Sequence, residues 1–336
     1  MNAELSGASF SKVRPISPAE SPVDLPENWY AIATLKTLKK GQSAVRKIGG
    51  TEIIVFRTDT GKLGAFAAKC AHMGCHLKHA CVVGETLQCA LHHRRITRGG
   101  VFLKGDGQPY QGLKQPVLPV REAYGSVFVY LGGAPDCNIA RPNSIKADDL
   151  LMQPAGDFHS DAPWYGLMAN GFDMEHLLSV HKRRLIEPAD VTCPDDRTYR
   201  LSYKTQVTGK ALSDRVIKWM SGNEVRASMT AINGTIMLIE SEAGPVPTTF
   251  MLSLCPDDKG GTLVRGFVGM KKGKSRIFDV VRLAVAQWLF KEFLAKDFEI
   301  FKGLEWNPPR FAHTDGDMLS KRLNVYFLSL EGVEKT

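Results

Sequence analysis

Apolar residues from Trp29 to Leu131 come in short runs broken by Gly, Asp and Thr, the pattern of strands and tight turns. Thr51–Arg57 and residues 63–68 flank Thr58-Asp59-Thr60-Gly61, which predicts a hairpin. Residues 87–91, 100–103 and 126–131 read as further strands, so a small β-sandwich or barrel is expected here. Gly132-Gly133-Ala134-Pro135 and the polar residues 138–149 read as a linker. Beyond it both periods occur. Residues 170–180 carry apolar positions at helical spacing, and 199–206, 226–230, 235–240, 249–254 and 263–268 read as an antiparallel sheet. Residues 277–304 form a long amphipathic helix that closes in Asn307-Pro308-Pro309. The expected fold is α+β: an arm at 1–26, an all-β domain at 27–136, and an α+β domain at 137–336.

Composition narrows the class. The 336 residues are 43% apolar and 23% charged, enough to bury a core and too apolar for disorder. The most apolar stretch, 280–294, is interrupted by Arg282, Gln287, Lys291 and Glu292, so no membrane span is expected. The N-terminus has no apolar export segment, which points to the cytoplasm. A net charge of +8 would suit nucleic acid, but the basic residues are scattered and no reading motif accompanies them. Seven cysteines are an odd number, a poor disulfide framework. Four of them crowd between Cys70 and Cys89 with His72, His76, His79, His92 and His93 in or beside the segment, which points to metal chemistry.

The order within that segment is Cys70-Ala-His72 and then Cys89-Ala-Leu-His92. Zinc is the plainer alternative, but its Cys2His2 sites usually pair like with like. Mixed pairs are the order of a [2Fe–2S] centre with two cysteines on one iron and two histidines on the other. The segment resembles the Rieske motif, with Gly74 and Gly84 where that family has loop glycines. Ala71 and Ala90 replace its usual prolines, and His93-Arg94 its usual Gly-Trp. Cys75 resembles a loop cysteine of respiratory Rieske proteins, but its partner position is Leu91, so no disulfide is expected. Cys75, Cys81, His76, His79 and His93 read as a polar shell around the cluster.

A second constellation is Asp173-Met-Glu-His176-Leu-Leu-Ser-Val-His181. Histidines five apart sit about 140° apart on an ideal helix, so the helix must bulge or end near Val180 to bring them together. A third ligand is suggested on the late helix, whose apolar stripe runs Phe290, Phe293, Leu294, Asp297, Ile300, Phe301, Leu304. Asp297 is its lone acid, and a carboxylate on a buried face needs a partner or a metal. Glu292, Glu299 and Glu305 fall off the stripe, and Asp279 near the helix start reads as a capping or dipole-favoured acid.

Coming after a Rieske motif, Asp-x2-His-x4-His resembles the catalytic signature of the Rieske non-haem iron oxygenases. That resemblance implies a mononuclear Fe(II) on His176, His181 and Asp297, beside a [2Fe–2S] cluster on Cys70, His72, Cys89 and His92. It implies that Asp173 links a cluster histidine to an iron histidine across a subunit boundary, in a homotrimer. It also implies a terminal oxygenase that uses O2 and electrons from a ferredoxin or an NAD(P)H-dependent reductase. The basic Arg94, Arg95 and Arg98 beside the second cluster loop would suit an acidic donor. The expected substrate is organic and apolar, with hydroxylation, demethylation, desaturation and cis-dihydroxylation all open. Rival readings are a Rieske electron carrier without oxygen chemistry and a zinc-stabilised interaction protein.

Overall fold

The computed structural model describes residues 25–135, 137–242 and 247–303, together with Leu323 and Tyr326. Most of the expected arm, and Leu304, Glu305 and Asn307-Pro308-Pro309, lie outside the described residues.

The first part is all-β, as its pattern predicts. Gln42–Ile48, Thr51–Arg57 and Leu63–Ala67 form an antiparallel meander whose Arg57↔Leu63 pair closes the expected hairpin. Both faces of the middle strand are covered, which is why TEIIVFR is apolar without alternation. Ile53 and Val55 pack with Tyr30, Val127 and Val129, while Ile54 and Phe56 pack with Leu77, Leu87, Ile96 and Phe102. Asn28–Thr34, Ser126–Leu131 and Val120–Ala123 make a second sheet. Cys81–Val83, Thr86–Gln88, Arg95–Thr97, Val101–Leu103 and Pro109–Lys114 make a third. The strand expected at 87–91 stops at Gln88, because the chain leaves the ladder in a loop closed by Cys89 N–H on the Arg94 carbonyl at 3.0 Å.

The second part is built on one antiparallel sheet of eight strands. Its order is Leu150–Ser160, Thr262–Lys271, Thr248–Pro256, Ile236–Glu242, Glu224–Ile232, Thr198–Val207 and Arg183–Leu185, with Asp190–Asp195 also pairing with Thr198–Val207. The strand Leu150–Ser160 escapes a pattern reading because it is an edge strand, carrying Pro154 and a register shift at Gly156.

Helices that pack on this sheet among the described residues are α1 (Trp164–Gly171), α2 (Met174–Ser179), α3 (Leu212–Ser221) and α4 (Arg276–Phe301). The helical run expected at 170–180 is broken between α1 and α2, where Asp173 turns extended (φ −84°, ψ 109°). The stripe on α4 holds at Phe290, Leu294, Asp297 and Phe301, which are buried, but not at Ile300, which is 51% exposed. Asp279 lies in the first turn of α4, where the helix dipole favours an acid; it is buried and accepts the Gly273 N–H and one Arg282 N–H, each at 3.0 Å. Phe290 stacks on Phe250 with ring centroids 4.9 Å apart, and the helix comes so close to the sheet that a Cβ at Gly266 would lie 2.7 Å from that Phe290 ring.

The two parts are joined by buried polar groups as well as by an apolar layer containing Trp29, Phe128, Met251 and Phe267. The Asn28 amide donates to Thr235 Oγ1 at 2.9 Å and to the Ile232 carbonyl at 3.0 Å. Arg265 forks onto the Asp157 carboxylate at 2.6 and 2.7 Å and donates to the Ala31 carbonyl at 3.0 Å. No helix among the described residues is long and apolar enough to cross a membrane. Arg265→Leu removes the charged donor from the Ala31 carbonyl, leaving it the weak Cys255 thiol at 3.7 Å, so it should lower stability to urea by about 1–3 kcal/mol. An unchanged unfolding midpoint would show that the joint does not depend on this side chain.

Candidate metal centres

The first constellation lies on two loops at one end of the five-stranded sheet. Cys70 and Cys89 are buried, while His72 is half-buried and His92 exposed, with their ring centroids 4.9 Å apart. The first loop is tied by Cys70 N–H on the Cys75 carbonyl at 2.9 Å and Gly74 N–H on the Cys70 carbonyl at 2.8 Å. Gly74 (φ +73°) and Gly84 (φ +58°) take the left-handed conformation, as does His93 (φ +53°), which stands where the resembled motif has glycine. Burial pushes the Cys70 thiol up and Cys89 beside it adds to the effect, so a compensating metal suits this pair of thiols.

Gln115 pins the first loop from below and is fully buried. Its amide oxygen accepts the Ala71 N–H at 2.8 Å, and its nitrogen donates to the Lys69 carbonyl at 2.9 Å. The sequence holds no signal for it, since one Gln far from the motif looks like any other. Of the outer histidines, His76 caps a short turn through Lys78 N–H and meets Glu52 at 3.2 Å. All seven cysteines are free.

The second constellation converges tightly. α2 ends at Ser179, Val180 follows as its cap, and Lys182 takes φ +56°, which swings His181 back toward His176. His176 Nε2 lies 2.8 Å and His181 Nε2 2.9 Å from Asp297 Oδ1, and the two nitrogens are 3.1 Å apart. Three donors at neighbouring positions around one ion with bonds of about 2.1 Å would stand about 3.0 Å from one another, so these edges fit a metal. Among the described residues this is the group of three or more such side chains that closes on one point. The Cys70, His72, Cys89 and His92 set does not close so tightly, which fits two irons sharing four ligands better than one tetrahedral zinc.

Burial works against the Asp297 carboxylate, but hydrogen bonds from His176 and His181 outweigh it and hold its carboxyl below the usual range. Burial lowers His181, against the pull of Asp297, which favours the neutral imidazole a metal requires. The His181 ring lies flat on Phe293, 3.6 Å between centroids, and its Nδ1 is buried without a hydrogen-bond partner among the described residues. Its backbone is fixed from behind: Arg183 donates to the His181 carbonyl at 3.0 Å and to Asp214 at 2.8 Å. Arg183 and Asp214 carry no sequence signal, because only the fold brings α3 to this strand.

Asp173 sits at the N-terminus of α2, where its carboxylate accepts the Glu175 and His176 N–H groups at 2.8 and 3.0 Å. It therefore sets the orientation of the helix that carries His176. Within the single chain no hydrogen bond joins it to His72 or His92 among the described residues. Glu292 and Glu299 are exposed and away from the site, as their phase implies.

Two substitutions separate the centres. Asp297→Ala should lose Fe(II) binding at the three-residue group, read by metal analysis, and keep the cluster absorbance; full metal retention would move the third ligand elsewhere. Gln115→Ala takes the amide partner from the part-buried Ala71 N–H and Lys69 carbonyl, costing about 1 kcal/mol in the loop, and should speed cluster loss on warming without touching the other site. Cluster loss at the wild-type rate would contradict that role.

Residues 28–112 match the Rieske [2Fe-2S] domain. The chain is 32% identical over 189 residues to the oxygenase component of 3-ketosteroid-9-alpha-monooxygenase from Rhodococcus rhodochrous, covering 51% of this chain and 47% of that one. It is 29% identical over 178 residues to the terminal oxygenase component of carbazole 1,9a-dioxygenase from Metapseudomonas resinovorans, covering 50% and 45%. These matches thus span about half the length of the curated relatives. In fold, it resembles Pseudomonas putida NdmA with caffeine (QL mutant) at TM-score 0.67 and 17% identity, over 90% of this chain and 94% of that one. It also resembles a carbazole 1,9a-dioxygenase oxygenase–ferredoxin complex at TM-score 0.69 and 17% identity, over 94% and 93%. With a Rieske [2Fe-2S] domain in its first part, the chain is similar over about half its length to oxygenase components of Rieske type, and its fold is that of solved oxygenases.

Proposed function

We propose that this protein is the terminal oxygenase component of a Rieske non-haem iron system, oxidising an organic substrate with O2. The observation that carries this reading is the closure of His176, His181 and Asp297 on one point beside an apolar cavity, in a chain with a Rieske domain. An electron carrier without oxygen chemistry has no use for such a site.

Residues 27–136 are assigned to the cluster and 137–336 to the mononuclear iron. When bound, the cluster relays single electrons and the mononuclear iron activates O2. Cys70 and Cys89 supply buried thiolates, and His72 and His92 supply imidazoles near the surface, where a donor protein can approach. His176, His181 and Asp297 donate from one side and leave the other side open to O2 and substrate. Phe293 and Arg183 hold His181 in place, and the apolar wall excludes water from the reacting centre.

The electron donor is a ferredoxin or an NAD(P)H-dependent reductase. Arg98 is exposed beside the second cluster loop, and Met73 and Leu91 are exposed apolar residues on the two cluster loops. The assembly proposed from the family is a homotrimer in the cytoplasm, with the exposed Asp173 carboxylate reaching a cluster histidine of a neighbouring subunit. Hydroxylation, demethylation, desaturation and cis-dihydroxylation all fit this geometry.

Asp173→Asn tests the link between centres. It keeps the shape and one helix-capping oxygen, so iron, cluster and fold should survive while O2-coupled turnover falls by at least about tenfold. Turnover at the wild-type rate would refute the bridging role. If basic residues steer an acidic donor, kcat/KM for that donor should fall as salt rises from low to physiological ionic strength. A salt-independent value would contradict that docking mode.

A further inference from the structure

A cavity of about 570 Å³ runs between the eight-stranded sheet and α4, with α3 along one side. It shares Leu177, Met229, Ile239 and Phe293 with the walls of the metal site, so the two spaces adjoin. From Phe293 it follows α4 back to Val281, about 18 Å of helix, so the space is elongated. Its volume is that of a site for a drug-sized molecule.

The sheet lining is ordered in rows. Nearest the metal stand Met237 and Leu252, then the paired row Met229, Ile239 and Phe250, all apolar. The next row out is Tyr203, Ala227, Ser241 and Thr248, paired across four strands. It lies four residues along the strands from Met237, about 13 Å. Polar groups thus collect at the end remote from the metal. The Thr248 hydroxyl donates to the Ser241 carbonyl and Thr205 to the Val225 carbonyl. The Tyr203 hydroxyl makes no hydrogen bond to a described residue, and burial pushes its phenol up, so it faces the cavity as a neutral donor. Two charged side chains line the space, and both are already paired: Arg183 with Asp214 at 2.8 Å and Arg282 with Asp279 at 3.0 Å. A charged substrate would meet no free counter-charge among the described residues and would lose its hydration on entry.

We propose that this cavity takes an uncharged, elongated, largely hydrocarbon substrate with one oxygen or nitrogen acceptor, and that Tyr203 binds that acceptor at the far end and so determines which carbon faces the metal. Ala227, paired with Tyr203 across the sheet, presents only a methyl to the cavity there. The proposal rests on the oxygenase reading for what happens at the metal, but not for binding.

The test uses the holoprotein and two rigid probes of one frame, 5α-androstan-3-one and 5α-androstane, measured by equilibrium dialysis without reductant. Tyr203→Phe should weaken the ketone by about threefold to tenfold, the value of one hydrogen bond, and leave the hydrocarbon within about twofold. Ala227→Phe, which fills the space beside Tyr203, should weaken both probes. An equal effect of Tyr203→Phe on the two probes, no effect on either, indifference of both to Ala227→Phe, or a wild-type protein that binds neither, would each overturn the proposal. A wild-type protein that shows the Tyr203-dependent preference but forms no O2-dependent product on reduction would sink the oxygenase reading and leave the pocket assignment standing.

Discussion

A carboxylate buried between two imidazoles is the constraint around which the second half of the chain is arranged. Asp297 lies more than a hundred residues from His176 and His181, yet one of its oxygens sits within 2.9 Å of both. Such a group is costly to bury unless it is paired with its partners or with a metal. The cost is offset by the packing of α4: Phe290 on Phe250 fixes the helix against the sheet, and Phe293 on His181 fixes its phase. A one-residue shift of that helix would rotate Asp297 out of the site by about 100°.

The two centres solve the problem of holding metal in different ways. The cluster loops rely on backbone geometry: left-handed turns at Gly74 and His93, short loop hydrogen bonds, and the buried Gln115 amide. The second site relies on side-chain packing, with an aromatic face and an Arg183–Asp214 pair behind His181. This suits their roles. The cluster has to be near the surface for a donor, whereas the second site has to be dry and open on one side to a cavity.

Much of this was legible in the sequence, and the reason is local. The four proposed cluster ligands stand out by type and order, and Asp297 by being the lone acid on an apolar helical stripe. The break after Val180 could be anticipated because two histidines five apart cannot share a face of a straight helix. What escaped is what depends on distant partners. Gln115, Arg183 and Tyr203 gain their meaning from strands that pair only in the fold, and the edge strand Leu150–Ser160 hides behind Pro154 and a bulge. Ile300 was placed on the stripe by its phase, but it is exposed because the helix is near its end there. Asp279 keeps the dipole-favoured place its position implies, but its partners Gly273 and Arg282 are not visible in the pattern.

The central claim is that one chain holds a cluster and a separate, exchangeable iron on which oxygen chemistry depends. Iron analysis beside the visible and electron paramagnetic resonance spectra of the cluster, before and after a ferrous chelator, tests it most directly. Chelation should remove one iron per chain, leave the cluster spectra intact, and abolish O2 consumption that Fe(II) then restores. A protein whose iron all belongs to the cluster, or whose O2 chemistry survives chelation of that iron, would contradict it.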